Sequence, residues 1–140
     1  MNEDQLTDPQ KETCEQTNAQ RAYYGTKRIE AWPEEKDDQP GYGVQYEDGY
    51  VSWSPKDVFE KAYQPISAMS FGHAIQAMKE GHRVQRANWN GPGQFIELQN
   101  PDENSKMNLP YIFISTVHGQ LVPWLASQTD MLANDWRIIT

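Results

Sequence analysis

The front part of the chain alternates apolar and polar residues with the period of a β-strand. From Thr26, the segments TKRIEAW, YGVQY and YVSWS follow this pattern, which predicts three short strands. The segment KDDQPG predicts a turn between the first two strands. The Asp-Gly pair in Glu47-Asp48-Gly49 is a strong hairpin signal between the second and third. The pattern therefore predicts a small antiparallel meander.

A short helix is predicted to follow the meander in SPKDVFEKAY. Ser54 stands at the cap position, Pro55 falls in the first turn, and Asp57 lies three residues after the cap. Three apolar residues are expected to lie on the sheet: Val58, Phe59 and Ala62. Aromatic residues also alternate through the meander, at Tyr42, Tyr46, Tyr50 and Trp53. This pattern favours core and cross-strand pairs over a binding surface.

The back part opens with an amphipathic helix in SFGHAIQAMKEG. Ser70 can cap its amino end and Gly81 can stop it. The apolar residues recur at helical spacing: Phe71, Ala74, Ile75 and Met78. About three turns of helix are therefore expected, with one face against a core.

Strands are predicted after this helix in HRVQRANW, QFIELQ, YIFISTV and LVPW, the last an edge strand ended by Pro123. The segment PDENSKMNLP predicts a polar loop. In a regular strand Val84 and Arg86 share a face, so either the strand bends or Arg86 reaches from a half-buried face into a cavity. An arginine extending from a sheet edge into solvent is the alternative.

These elements predict an α+β fold of two small units, each an antiparallel sheet with a packed helix. The units are expected at residues 23–64 and 65–140, with QPISAMS as the linker. Residues 1–22 are polar and lack apolar periodicity, which indicates a flexible leader.

The charge of the protein argues against long polyanionic partners. With 12 basic and 20 acidic residues, the 140-residue chain has a formal net charge of -8, whereas nucleic acids and anionic membranes are bound by clustered Lys and Arg. No apolar run approaches the ~18 residues that cross a bilayer, and the acidic start MNEDQLTDPQ is unlike a secretory signal. We therefore expect a cytosolic protein that binds neither DNA, RNA nor membranes.

Metal, disulfide and cofactor chemistry are not expected. Cys14 is the only cysteine, which excludes an internal disulfide and a multi-cysteine zinc site. The three histidines, His73, His82 and His118, do not have the spacing of a metal pair. We predict no metal and no cofactor.

The segment VPWLASQTDMLANDW supports two interpretations. Ser127 with Asp130 resembles a capping box, with Asp in place of Glu or Gln, for a helical segment from Met131 to Asn134. Alternatively, a helix amino end beside an indole ring suits an anion and a stacked base, as in a nucleotide site. The segment alone does not decide between them.

The run MSFGHAIQAMKEGHRVQRANWNGPGQF, followed after a variable loop by VPWLASQTDMLANDW, resembles the small phage family of Thoeris anti-defence proteins of the second type. The resemblance covers about residues 69–140 and is weakest in PDENSKMNLP. It implies a homo-oligomer, a tetramer, in the cytoplasm of the infected bacterial host. It also implies sequestration, without cleavage, of a cyclic ADP-ribose isomer made by a TIR-domain enzyme; some relatives also hold cyclic dinucleotides. The front half resembles a module that phage proteins carry before other small domains.

The resemblance and the chemistry of a cyclic nucleotide together nominate nine ligand-binding residues. Family position supports six of them: Phe71, Trp89, Asn90, Trp124, Ser127 and Asp130. Side-chain chemistry adds Arg86 for a phosphate, with Gln128 and Thr129 for polar contacts. Aromatic rings would stack on the base, and the Asp130 carboxylate would accept hydrogen bonds from ribose. A structural role is the alternative at each position, as core, turn or cap.

Other classes of function stay open beside this one. A phage structural or protein-inhibitor module would act through its aromatic surface. A small nucleotide hydrolase would need a base, and the sequence has no G-x-S-x-G, P-loop or H-E-x-x-H motif. Asp130 and Asp135 are the acids that such a hydrolase would use. We predict no catalytic residue and no enzyme activity.

Overall fold

The computed structural model describes residues 18–140. Of the predicted leader, residues 18–22 are exposed and belong to no helix or strand. Residues 1–17, with Cys14, lie outside the described residues. The described chain is α+β with two antiparallel sheets, as the sequence predicts.

The front unit is a three-stranded antiparallel sheet in the order β1-β2-β3. Its strands are β1 (Glu30–Pro33), β2 (Gly41–Gln45) and β3 (Val51–Pro55). The predicted Asp-Gly hairpin is confirmed: Gly49 has a φ of 89°, in the left-handed region that glycine adopts at low cost. The register pairs Gly43 with Trp53 across β2 and β3.

The helix of the front unit is α1 (Lys56–Ala62), and its predicted cap is wrong. Pro55 is the N-cap and makes no side-chain cap bond. Ser54 instead pairs with Tyr42 in the sheet, so strand pairing extends to the helix start. The predictions for Val58 and Ala62 are also wrong, since Val58 is 60% exposed and Ala62 is exposed too.

Aromatic contacts hold α1 against the meander. Phe59 stacks on Tyr42 with ring centroids 4.1 Å apart, and Tyr46 stacks on Tyr50 at 6.0 Å. The Trp53 indole N–H donates to the carbonyl of Glu34 at 2.8 Å. The predicted cross-strand pairing is confirmed for Tyr46 and Tyr50, but none of the four predicted aromatics is buried and Tyr50 is 64% exposed, so the core role is not borne out.

The back unit is a five-stranded antiparallel sheet with one packed helix, in the order β7-β6-β5-β4-β8. Its elements are α2 (Phe71–Lys79), β4 (Arg83–Arg86), β5 (Phe95–Gln99), β6 (Tyr111–Ser115), β7 (Leu121–Pro123), α3 (Gln128–Met131) and β8 (Trp136–Ile139). The prediction of LVPW as an edge strand is confirmed.

Helix α2 covers one face of this sheet. The Ser70 hydroxyl accepts from the His73 N–H at 3.4 Å, which confirms the predicted cap. Gly81 ends the helix region with a φ of 93°. The core between helix and sheet is formed by buried Met69, Ala74, Ala77, Met78, Val84, Ile96 and Trp136. The opposite face of the sheet carries no helix within residues 18–140.

Two features near the carboxyl end differ from the prediction. Helix α3 spans Gln128–Met131 and not Met131 to Asn134, because a helix begins directly after its N-cap, here Ser127. Strand β8 was not predicted. It pairs with β4 along its whole length, from Arg83↔Ile139 to Arg86↔Trp136.

The linker between the units is held against β8. Met69 and Trp136 exchange two backbone hydrogen bonds, at 2.6 and 3.1 Å. Ile66 accepts from the N–H of Ile138 at 3.0 Å. The linker thus adds a short antiparallel segment to the outer edge of β8 and fixes the position of Trp136. Within residues 18–140, no helix has the length and apolarity to cross a membrane.

Candidate functional site

Four aromatic rings meet at one end of the five-stranded sheet. Trp136 is fully buried at their centre. The ring centroids of Phe71, Trp89 and Trp124 lie 5.2, 5.4 and 6.0 Å from its own. The tryptophan pairs are edge-to-face, which is a favourable arrangement of aromatic quadrupoles. We call these four residues the aromatic cluster.

The three outer rings of the cluster come from separate elements and stay partly exposed. Phe71 is the first residue of α2, directly after the Ser70 cap. Trp89 follows β4. Trp124 follows β7, where its backbone N–H donates to the carbonyl of Ile112 at 3.0 Å. The fold therefore brings together three of the predicted site residues, and each keeps some surface for contact.

Asp130 ties the cluster to the sheet through both carboxylate oxygens. Its Oδ1 accepts from Arg86 Nη1 at 3.0 Å and from Trp89 Nε1 at 3.3 Å. Its Oδ2 accepts from the Ser127 N–H at 3.2 Å, and the Ser127 hydroxyl accepts from the Asp130 N–H at 3.1 Å. Its backbone carbonyl accepts from Trp136 Nε1 at 2.9 Å. The predicted capping box is confirmed, and Asp130 is also the link between cap, arginine and indoles.

A second carboxylate completes the ion-pair group. Asp135 Oδ1 accepts from Arg86 Nε at 2.9 Å, and its Oδ2 accepts from the Asn88 N–H at 2.9 Å. The Arg86 side chain is 17% exposed, against 21% for Asp135. Arg86 therefore turns into the end of the sheet and not outward to solvent. The predicted contact between Arg86 and a ligand phosphate stays a prediction. Two of the Arg86 donor nitrogens, Nε and Nη1, already donate to Asp135 and Asp130.

The environment of both carboxylates favours their ionised form. Burial alone raises the pKa of Asp130, but hydrogen bonds from Ser127 and Arg86 outweigh it and lower the pKa below its ordinary value. Burial likewise opposes ionisation of Asp135, and hydrogen bonds from Arg86 and Asn88 lower the pKa of that carboxyl. The same contacts raise the pKa of Arg86. All three groups are charged near neutral pH.

Exposed polar side chains follow Trp89 in the sequence or belong to the cap and first turn of α3. We call them the polar edge: Asn90, Ser127, Gln128 and Thr129, all exposed. The Ser127 and Thr129 hydroxyl oxygens are 2.9 Å apart. Helix α3 has four residues, and Asp130 itself occupies the amide of its cap. The interpretation of this helix end as an anion site is therefore disfavoured.

Two residues of this arrangement were not nominated as ligand-binding from the sequence. Trp136 was missed, although WRII alternates like a half-buried strand and places Trp136 with Ile138 on one face. Asp135 was considered only as an acid of a hydrolase. Its pairing with Arg86 joins positions 49 residues apart, and no local pattern reports such a contact.

One cavity adjoins the aromatic cluster, and a larger one lies elsewhere in the fold. A pocket of about 310 Å³ is lined by Arg86 and Trp89, together with Arg83, Arg137 and the turn at residues 91–93. A larger cavity of about 910 Å³ lies between the front unit and α2. None of the nine predicted site residues lines the larger one. No group of three or more metal-ligating side chains lies together within residues 18–140.

The back unit is thus a small α+β unit that presents an aromatic cluster and a polar edge. The sequence model of the Thoeris anti-defense 2-like domain matches residues 69–139. The chain is also 36% identical over 85 residues to Thoeris anti-defense 2 of Bacillus phage SP01, a match that covers 51% of this chain and 96% of the relative. The chain belongs to the Thoeris anti-defense 2-like family, which confirms the resemblance. The family match begins at Met69, where the linker meets β8, and the front unit lies outside it.

Proposed function

We propose that the protein is a phage anti-defence sponge. It binds a cyclic ADP-ribose isomer that a bacterial TIR-domain enzyme makes as an immune signal, and holds it without cleaving it. The observation that carries the proposal is the family match, which spans the whole aromatic cluster and the polar edge. A cyclic dinucleotide is the related ligand that the same chemistry would suit. The cytoplasm of the infected host is where such signals accumulate.

The aromatic cluster and the polar edge match the parts of such a ligand. Trp89 and Trp124 rest on buried Trp136 and keep partly exposed surfaces on which adenine can stack. The hydroxyl and amide groups of Thr129, Gln128 and Asn90 are exposed beside them and suit ribose and phosphate oxygens. Rigid aromatic surfaces with a few polar groups are typical of small-molecule sites.

The carboxylates of the site support binding over hydrolysis. A general base works best with a pKa near the operating pH. The pKa values of Asp130 and Asp135 are instead lowered by the contacts that fix Arg86. Each carboxylate is thereby a weak base with its oxygens already accepting hydrogen bonds. We infer that these acids organise the site and do not attack the ligand.

We further propose that the active form is a homo-oligomer, a tetramer. The pocket beside Trp89 has about 310 Å³ in one protomer, at the lower end of the ~300–1,000 Å³ usual for ligand sites. A second protomer would enclose the exposed faces of Trp89 and Trp124. Light scattering at micromolar concentration tests this, and a monomer would contradict it.

We propose that residues 23–64 form a separate module appended to the ligand-binding domain of residues 65–140. The module has its own sheet and helix, and the family model matches residues 69–139, outside the module. Its contribution would be to assembly or to partner contacts.

Thermal denaturation in the presence of candidate ligands tests the proposed function. A ligand at 100 times its Kd stabilises the folded state by ~2.7 kcal/mol, so the cyclic ADP-ribose isomer should raise the Tm clearly. Linear ADP-ribose and adenosine serve as controls and should raise it less. A protein inhibitor would show no shift with any nucleotide and a shift only with its protein partner.

A further inference from the structure

The face of the five-stranded sheet opposite α2 carries a pocket with a positive lining. In the register of β4 with β8, Arg83 lies opposite Ile139 and Gln85 lies opposite Arg137. Residues directly opposite one another point to the same face, so these four side chains share the face opposite α2. The intervening Val84 and Ile138 point to the core under α2. We call this the arginine pocket; its volume is about 310 Å³.

The charge of this lining differs from that of the protein as a whole. Three of the five arginines in the chain line the pocket, and no aspartate or glutamate does. The chain has a formal net charge of -8. Carboxylates outside the lining pair with Arg86 and with Arg83, but none within residues 18–140 pairs with Arg137, which leaves one positive charge in the pocket for an anionic ligand.

The three arginines are not equally available. Arg86 is engaged by two carboxylates, as described above. Arg83 Nε lies 3.5 Å from Glu97 Oε1, and its guanidinium stacks 4.5 Å from the Phe95 ring centroid. Arg137 is exposed and has no ion-pair partner within residues 18–140. Arg137 is thus the freest donor, and Arg83 is shared with one half-exposed carboxylate.

Phosphate oxygens fit this donor set better than a single carboxylate does. Arg83 and Arg137 are diagonal neighbours on adjacent strands, a separation of ~7–8 Å between their backbones that long side chains can span. Two guanidinium forks over such a span match a group with several oxygens, such as a diphosphate. The adjoining turn contains Gly93, which has open space where a side chain would lie, so an anion can approach the backbone there.

We propose that the arginine pocket is an anion site for phosphate groups, with Arg137 as its principal donor and Arg83 as its second. The proposed function uses this pocket as part of a nucleotide site, and the inference adds which residues would hold phosphate groups there. The phosphates come either from a nucleotide bound at the aromatic cluster, a case that rests on the proposed function, or from a separate molecule. Trp89 lines the pocket and reports its occupancy.

Titration of the whole protein with sodium pyrophosphate tests this site, followed by tryptophan fluorescence and by calorimetry. Arg137→Gln should weaken binding about 10-fold, the equivalent of one charge-assisted hydrogen bond. Glu97→Gln should tighten it about 2- to 5-fold, since it frees Arg83 from its carboxylate. Arg21→Gln, which removes the same charge from an exposed position outside the pocket, should change affinity less than about 2-fold.

Three results would overturn the proposal. The first is no pyrophosphate binding by the unaltered protein. The second is an Arg137→Gln variant that binds as well as the unaltered protein. The third is an equal loss in Arg21→Gln, which would mean that only net charge matters. Thermal denaturation of each variant checks that the fold is retained.

A second series, with the cyclic ADP-ribose isomer present at saturation, separates the two sources of phosphate. Competition with pyrophosphate assigns the pocket to the phosphates of that ligand, and independent binding assigns it to another anion. Arg137-dependent pyrophosphate binding without retention of the isomer would leave this site in place and refute the proposed function. Retention of the isomer without pyrophosphate binding would support the proposed function and refute this site.

Discussion

Arg86 and Asp130 are 44 residues apart in the chain, and their Nη1 and Oδ1 atoms are 3.0 Å apart in the fold. The contact joins the end of β4 to the cap of α3. The Asp130 carboxylate also accepts a hydrogen bond from the Trp89 indole, and the backbone carbonyl of Asp130 accepts one from the Trp136 indole. The position of the aromatic cluster is therefore set by one ion-pair group.

Arg86→Lys should destabilise the protein by about 1 to 3 kcal/mol of unfolding free energy. A lysine ammonium cannot reproduce the forked geometry that lets Arg86 donate to Asp130 and Asp135 together. Urea denaturation measures the effect. Arg83→Lys is the matched control, because the Arg83 side chain is 56% exposed and such pairs contribute little. Equal stability of the two variants would mean that the partly buried pairing of Arg86 adds nothing to folding.

Acid should weaken the fold through the same carboxylates. The pKa of Asp135 is lowered in the folded state, whereas an unfolded aspartate titrates near a pKa of about 3.9. Its stabilisation is therefore fully present above about pH 4 and is lost as the pH falls through the folded pKa. Urea midpoints from pH 6 to pH 3 should fall less steeply in Asp135→Asn than in the unaltered protein. The exposed Glu103→Gln is the control, and parallel curves for all three proteins would refute the assignment.

Local patterns were sufficient for much of this fold. The hairpin at residues 47–49 and helix α2 each carry their signals within a few neighbouring residues, and both formed as predicted. Ser54 shows where such signals compete: its cap position was overridden because β3 extends to Pro55 in register with β2. A preference of about 1 kcal/mol for a cap does not outweigh a paired strand.

The arrangement of the candidate site depends on contacts that no local pattern contains. The sequence indicates that Asp130 can cap and that Arg86 lies on a half-buried face. It does not indicate that the two meet, nor that Asp135 joins them, because those pairings require the order of strands β4 and β8. Strand β8 was not predicted because it is short and follows a four-residue helix in a segment rich in polar residues.

Trp89→Ala should weaken binding of the cyclic ADP-ribose isomer by about 1 to 3 kcal/mol, the range for a lost stacking aromatic. Trp89→Phe should retain most of the affinity, because a ring remains although the N–H donated to Asp130 is lost. Calorimetry measures both. Leu125→Ala, at a residue that follows Trp124 in the sequence and is 91% exposed, is the control. Unfolding of Trp89→Ala, with loss of binding only for that reason, would assign Trp89 to the core.

The capping box and the polar edge can be separated by substitution. Ser127→Ala should cost about 1 kcal/mol of stability, because the cap of α3 is lost. Gln128→Ala and Thr129→Ala should leave the Tm nearly unchanged, since both residues are exposed, and should lower ligand affinity if they contact the ligand. Affinity equal to that of the unaltered protein in both variants would leave the segment with a capping role alone.

The fate of the bound ligand tests the central claim most directly. The cyclic ADP-ribose isomer is incubated with excess protein, the free fraction is removed, and the complex is heated until the protein unfolds. Chromatography should then show that the isomer disappears from free solution and returns chemically unchanged. Linear ADP-ribose or another product, formed in proportion to time and absent from protein-free controls, would contradict sequestration and identify an enzyme.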